Sequence, residues 1–402
     1  MDTYSDIRPY NDAEVRPVLD GLLGNSEFLG ALCRMRFPRV ARPLGWLLEP
    51  VVAGVLRRQL RDVSDVASMQ QVVKGYMDRM IEQTTSGFTV SGIEQLAAES
   101  PYLFMSNHRD IALDPAFINY SLYRSGHDTV RIAIGDNLLT KDYASDLMRL
   151  NKSFIVRRSA RGPRQMLAAY KQLSSYVRMS LAQEKVPVWI AQREGRAKDG
   201  FDQTDATIIK MLAMSQVKAE ESFADFIRLL RIVPVAISYQ YDPLDEAKAL
   251  ELYTKEHSGS YAKGEQEDVL SIARGITGQK GDVHVAYGSP LQEECKDAND
   301  VAALIDRQVI GNYVLHPSNF FAYEQLYGSF PTGLCGGEQR AFDPARYRAS
   351  GVEFAARLTA MPEHLRPYVL NMYANCIVRK QEMGFLAAAQ GSGTETAVGS
   401  SL

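Results

Sequence analysis

One imidazole with two carboxylates close behind it is the arrangement in this chain best suited to chemistry. The apolar run Tyr102-Leu103-Phe104-Met105 ends in Ser106-Asn107 and leads into His108-Arg109-Asp110, with Asp114-Pro115 following. A histidine whose Nδ1–H is accepted by a carboxylate keeps Nε2 free to take a proton from a hydroxyl, the usual form of a general base. Asp110 and Asp114 are both candidates for that carboxylate. The Asp114-Pro115 pair predicts an N-cap followed by a first-turn proline, hence a helix start, so His108 falls in a strand-to-helix loop. In an open α/β sheet such loops lie at the carboxyl ends of the strands, where ligands bind. The competing reading is a capping Asp beside a surface His. Ser106 is the one neighbouring hydroxyl that could serve as a nucleophile.

The elements that must position this loop follow from the apolar rhythm. Between Asp12 and Gln83 apolar residues recur at three- and four-residue spacing, which predicts a helical region over residues 1–87. From Phe88 the pattern changes. Short β-branched and aromatic runs at Phe88–Val90, Tyr102–Met105, Val130–Ile134, Ser153–Val156, Val186–Ala191, Ile232–Tyr239 and Val283–Tyr287 alternate with helical stretches. That alternation predicts an α/β layer fold with a mainly parallel, mixed sheet flanked by helices, over residues 88–290. Helical patterns return over 291–390, interrupted by a Tyr-, Phe-, Gly- and Pro-rich stretch from His316 to Gly337 expected to be an ordered loop with a short helical piece. The small, polar residues 391–402 are expected to be a disordered tail.

Composition narrows the function classes. With 402 residues, 46% of them hydrophobic, the chain can bury a sizeable core, and a net charge of −3 supplies no global footprint for nucleic acid. Cys33, Cys295, Cys335 and Cys376 are scattered, which argues for reduced thiols in a cytoplasmic protein and against a zinc site. The start of the chain lacks the basic and apolar segments of a signal peptide. The window Leu44–Leu56 is too short to span a bilayer and contains Glu49 and Pro50, but Arg57, Arg58 and Arg61 follow it. Apolar surface beside positive charge suits an interfacial helix; the competing reading is a helix packed on the protein's own core. His108-Arg109-Asp110 also matches the kinase triplet, but Pro115 stands where that motif needs Asn, and no Gly-rich loop precedes it.

Four stretches fall at strand ends: Asn107-His108 through Asp114-Pro115, Ser153-Phe154-Ile155-Val156-Arg157-Arg158, Gln192 through Gly200, and Ile232-Val233-Pro234-Val235-Ala236-Ile237-Ser238-Tyr239. In order and spacing they resemble the four motifs of the glycerolphosphate acyltransferase family, which includes glycerol-3-phosphate and lysophosphatidate acyltransferases. The resemblance covers Phe88 to Pro290. The family's first motif places Asp five residues after His, where this chain has Leu113. The Asp-Pro pair, similar to that of the soluble plastid members, makes Asp114 the equivalent with one residue inserted, and Asp110 the alternative. The third motif is shortened to Glu194-Gly195-Arg196.

What the resemblance implies is an enzyme that moves a fatty acyl group from acyl-CoA or acyl-carrier protein to a hydroxyl of glycerol-3-phosphate, lysophosphatidate or a related phosphate-bearing acceptor. His108 and Asp114 would be catalytic. Arg157, Arg158, Arg193, Arg196 and Lys198 would hold the acceptor's phosphate, since guanidinium offers bidentate donors and stays charged. Asn107, Glu194, Gly195 and Pro234 would support the motifs. No metal or cofactor is expected beyond the acyl thioester, and the partners would be that thioester, the acceptor and a membrane surface, with no nucleic acid. The expected location is cytoplasmic, peripheral to the inner face of the membrane. The alternative is a non-catalytic lipid- or membrane-binding protein on the same fold.

Overall fold

The computed structural model describes residues 2–37, 41–264 and 267–387. The tail expected over 391–402 lies outside them. Helices come first: Asp12–Gly24, Ser26–Arg36, Ala41–Gln59 and Val66–Thr84. Asp65 starts the last of these by accepting the Ser68 amide at 2.8 Å, one of the free donors at a helix N-terminus. Val15, Leu19, Leu22, Phe28, Ala53 and Met69 pack together and close this bundle around its own small core.

The sheet is built from β1 (Gly87–Ser91), β2 (Leu103–Ser106), β3 (Arg131–Gly135), β4 (Ser153–Val156), β5 (Val188–Ala191), β6 (Ile232–Tyr239) and β7 (Asp282–Tyr287). Their spatial order is β1-β7-β6-β2-β5-β3-β4. The five strands from β6 to β4 run parallel, β7 is antiparallel to β6, and β1 is parallel to β7. The sheet is thus mixed and mainly parallel, with helices on both faces, as the alternation predicts.

β2 and β6 are buried along their whole lengths, because successive side chains point to opposite faces and each face carries its own core. Leu103, Met105, Val188, Ile190, Ile232 and Ala236 meet the helices Pro163–Ala182, Ala206–Leu212 and Phe223–Leu230 on one side. Phe104, Trp189, Val233, Val235 and Ile237 meet Phe117, Ile118 and Leu122 of the helix Leu113–Arg124 on the other. Each such side chain stabilises by about 1.5–3 kcal/mol when removed from water, so the middle of the sheet is a rigid platform. The loop after β2 leaves from its centre.

Pro234 lies inside the sheet in β6. Its carbonyl accepts the Gly288 amide at 2.8 Å, while its missing N–H ends the ladder with β7, whose register stops at Val235↔Tyr287.

Two segments depart from the sequence expectations. In His316–Gly337 the expected short helical piece is a three-turn helix, Pro317–Tyr327, followed by Leu334–Cys335 (β8), which pairs with Arg340–Ala341 (β9) in a hairpin. The helix Asp245–Ser258 is absent from the apolar pattern because the face it buries includes Asp245, Lys248 and Glu251, neutralised by ion pairs to Arg357, Asp242 and Lys198. Among the described residues no helix is long and apolar enough to cross a membrane.

Candidate active site

β2 ends at Ser106, and the next residues are tied down one by one. Asn107, fully buried, accepts the Ile237 amide at 2.8 Å and donates to the Ile237 carbonyl at 3.0 Å, so its side chain extends the sheet where the backbone leaves it. Ser106 Oγ is also fully buried, accepts from Trp189 Nε1 at 2.9 Å and donates to the Asn107 carbonyl at 2.8 Å. That hydroxyl is engaged on both sides and turned away from nucleophilic chemistry.

His108 stands at the head of the loop with its ring edge-on to Trp189, centroids 5.9 Å apart. Its Nδ1–H donates to Asp114 Oδ2 at 2.8 Å, and Nε2 has no partner among the described residues. The same Asp114 oxygen accepts the Arg109 and Asp110 amides at 2.6 and 2.9 Å, and its Oδ1 accepts the Tyr239 hydroxyl at 2.7 Å. Asp114 has no exposed surface, yet both its oxygens are hydrogen-bonded and four donors converge on it, which is the condition for burying a carboxylate.

Asp110 has a different task. Its Oδ1 accepts the Ala112 and Leu113 amides, both at 2.9 Å, and it makes no bond to His108. The helix starts at Leu113, so Asp114 lies within its first turn and is not the N-cap expected from the Asp-Pro pair. Asp110 satisfies the free amides instead, which leaves Asp114 free to turn inward. Burial, and after it the charge of Asp114, push the Asp110 carboxyl above its ordinary range.

Arg109, to which the sequence assigned no role, is buried on the far side of the loop. Its Nη2 meets Asp202 at 2.6 Å and the Gly200 carbonyl at 3.3 Å, and Nη1 meets the Ala197 carbonyl at 3.3 Å. The Ala197 amide in turn donates to the His108 carbonyl at 2.9 Å. Arg109 thereby locks the loop after β5 against the loop after β2.

That lock brings two of the four sequence stretches to one pocket, and the loop after β4 completes it. His108 and Trp189 line it together with Arg158, Arg193, Glu194, Gly195, Arg196 and Lys198. Gly195 has φ +74°, a left-handed turn that glycine adopts without strain and that lets Arg193 and Arg196 both face the pocket. Neither arginine has an ion-pair or hydrogen-bond partner among the described residues. Arg158 lies 3.6 Å from Glu194, both side chains substantially exposed. Lys198 pairs with Glu251, and its burial draws the ammonium below its ordinary range. Arg157 is not in the pocket wall; its guanidinium pairs with Asp6. The inner wall is apolar, with Ile134, Leu138, Tyr170, Leu173, Ile208 and Met211.

Three participants were not assigned from sequence: Arg109, Trp189 and Tyr239. Strand parity is the signal that finds the last, since Val235, Ile237 and Tyr239 share the face covered by the helix that carries Asp114.

The Acyltransferase family model matches residues 87–238. Dihydroxyacetone phosphate acyltransferase from Bos taurus is 25% identical over 203 residues, which is 50% of this chain and 28% of that protein. The Homo sapiens protein of the same name is 24% identical over the same shares. The match therefore spans little more than a quarter of those relatives. Among solved structures, the 1-acyl-sn-glycerophosphate (LPA) acyltransferase PlsC from Thermotoga maritima aligns with a TM-score of 0.37 at 12% identity, over 71% of this chain and 95% of that one. Residues 87–238, which hold His108, Asp114 and the basic loops, thus match an Acyltransferase domain, and these comparisons support the resemblance to the glycerolphosphate acyltransferase family.

Proposed function

We propose that the protein transfers a fatty acyl group from a thioester, acyl-CoA or acyl-carrier protein, to a hydroxyl of a phosphate-bearing glycerol acceptor. Glycerol-3-phosphate, lysophosphatidate and dihydroxyacetone phosphate are the acceptors to try. The observation that carries this reading is the His108–Asp114 contact at the rim of a pocket that also presents Arg193 and Arg196 without partners. Unpaired guanidinium groups are suited to a phosphate, and an apolar inner wall is suited to an acyl chain.

In the proposed reaction His108 Nε2 takes the proton of the acceptor hydroxyl as the oxygen attacks the thioester carbonyl. Asp114 stabilises the imidazolium and fixes its tautomer. Collapse of the tetrahedral intermediate breaks the carbon–sulfur bond, and the imidazolium returns the proton to the departing thiolate. No covalent acyl-enzyme and no cofactor enter this scheme. Holding the acceptor's phosphate on the arginines makes the attack effectively intramolecular.

The reading includes a peripheral place on the cytoplasmic face of a membrane. Helix Ala41–Gln59 turns Trp46, Leu47, Val51 and Val55 to solvent, with Trp46 71% exposed, and Arg57 and Arg58 in its last turn. Of the two sequence readings for this helix, the exposed apolar stripe favours the interfacial one. Thiol release monitored across acyl-CoA and acyl-carrier donors with each acceptor tests the activity. Release with none of them leaves the non-catalytic lipid-binding alternative. Flotation with anionic vesicles, weakened by salt and by Trp46→Ser, is the result expected of the membrane contact; flotation indifferent to both discounts it.

A further inference from the structure

We propose that Tyr239 is a positioning residue of the dyad, the third member of a His108–Asp114–Tyr239 chain that couples the base to the C-terminal helices. The proposal rests on His108 being the base. Three donors, from His108, Arg109 and Asp110, converge on Asp114 Oδ2, and the Tyr239 hydroxyl is the donor that engages Oδ1. A carboxylate gripped at one oxygen still turns about its Cβ–Cγ bond. A charge-assisted bond of 2.7 Å at the other oxygen fixes that torsion, and with it the plane of the imidazole.

The hydroxyl is built to remain a donor. Tyr239 is buried, and burial followed by the charges of Asp114 and Asp110, with Asp242 beyond them, holds the phenol well above its ordinary range. Arg109 on the catalytic loop lines a cavity with Tyr239, and Lys248 bonds Asp242 and donates to the Arg109 carbonyl at 2.7 Å.

The support for Tyr239 comes from outside the matched domain, which ends at residue 238. Just past β6 the Asp242 amide donates to the Tyr373 hydroxyl at 2.8 Å, and that hydroxyl donates to Asp245 at 2.9 Å. Tyr373 belongs to the helix Arg366–Glu382. Tyr239 itself walls a small cavity shared with Arg109, Asp242, Tyr313, Tyr373 and Cys376. The C-terminal helices therefore set the end of β6, the end of β6 sets Tyr239, and Tyr239 sets the dyad.

The test compares Tyr239→Phe, which removes the hydroxyl and keeps the ring, with Tyr313→Phe, which trims another hydroxyl on the same cavity without a bond to Asp114. Two readouts are taken on the full chain: the downfield NMR resonance of the His108 Nδ1–H, assigned by its loss in His108→Gln, and steady-state kinetics. Removing the phenol leaves more of the carboxylate's charge to His108, so the resonance moves further downfield in Tyr239→Phe and stays in place in Tyr313→Phe. With it kcat falls about tenfold at a KM changed by less than about twofold, as expected for loss of part of one charge-assisted hydrogen bond in the transition state. A resonance that does not move in Tyr239→Phe overturns the proposal, as does a kcat matching that of Tyr313→Phe. Failure of the unmodified protein to transfer acyl groups instead overturns the proposed function, and the resonance, which needs no turnover, still reports on the hydrogen-bond chain.

Discussion

The loop after β2 and the loop after β5 meet in one pocket but are built in opposite ways. In Asn107–Asp114 nearly every polar group is buried and answered: Asn107 by Ile237, Asp114 by four donors, Arg109 by Asp202 and two carbonyls. In Arg193–Arg196 the guanidinium groups stand half-buried without partners, and Glu194 is exposed. The first loop holds its dyad in place through bonds within the protein, although Arg109 Nε and Asp110 Oδ2 stay unpaired there; the second offers cations that are satisfied only by an anion from outside. Chemistry that needs fixed proton geometry belongs on the first, and binding of a substrate charge belongs on the second. The comparison predicts that substitutions in the first loop act on kcat and those in the second on KM.

The largest effect is expected from His108→Ala. Loss of the base should lower kcat by roughly 100- to 10,000-fold with little change in melting temperature, since among the described residues the ring's one hydrogen bond is to Asp114. Turnover close to wild type would sink the assignment of the base.

Next comes Asp114→Asn against Asp110→Asn. The amide at residue 114 would turn an N–H toward donors, so activity should fall about 100-fold and stability by about 1–3 kcal/mol, the cost of an unanswered buried polar group. Asn at 110 can still accept the Ala112 and Leu113 amides, so Asp110→Asn should stay within about threefold of wild type in kcat. A reversal of this ranking would make Asp110 the partner of His108 in the working enzyme.

Smaller again, Arg193→Ala and Arg196→Ala should each raise the acceptor KM about tenfold, the worth of one exposed charge-assisted contact, and leave folding intact. Their effect should shrink as salt rises, because these cations face solvent. A drop in kcat at unchanged KM would break the division of labour between the two loops.

The smallest expected effect concerns histidines that do no chemistry. His284 bonds Thr89 and Ser91, and His316 bonds Ser238, both inside the protein. Burial lowers His284 to about 4 and, with the charge of His284 added, His316 to about 3. Both rings are therefore neutral in the fold while the unfolded chain takes up protons near 6.5. Their stability contribution is fully present above about pH 6.5 and is lost as pH falls toward 4, at up to about 1.36 kcal/mol per pH unit for each ring. Melting temperature followed from pH 7 to 4 in wild type and His316→Gln checks this: the variant should show the shallower slope.

The sequence by itself determined the class of the fold and singled out the imidazole and most of the cations that line the pocket. Period-2 runs separated by helical runs admit little besides a layered α/β sheet, because each face must be buried. His108, Asp114, Arg158, Arg193 and Arg196 were legible because each follows a strand, and strands that run parallel bring their carboxyl ends to one edge. The helix Asp245–Ser258 was not legible, because the pattern of apolar residues is blind to a face buried through ion pairs. Three further matters were decided by tertiary structure. The spacing of residues left both aspartates open; Asp110 takes the Ala112 and Leu113 amides and Asp114 becomes the partner of His108, with Tyr239, 125 residues away in sequence, engaging Asp114 from β6. Arg157 and Arg158 are adjacent in sequence, but Asp6 takes the first and the pocket keeps the second. Trp46 reads from sequence more readily as core than as surface, until neighbouring helices leave it uncovered. In each case the deciding group is remote in sequence, and local spacing carries no information about what the folded chain brings alongside.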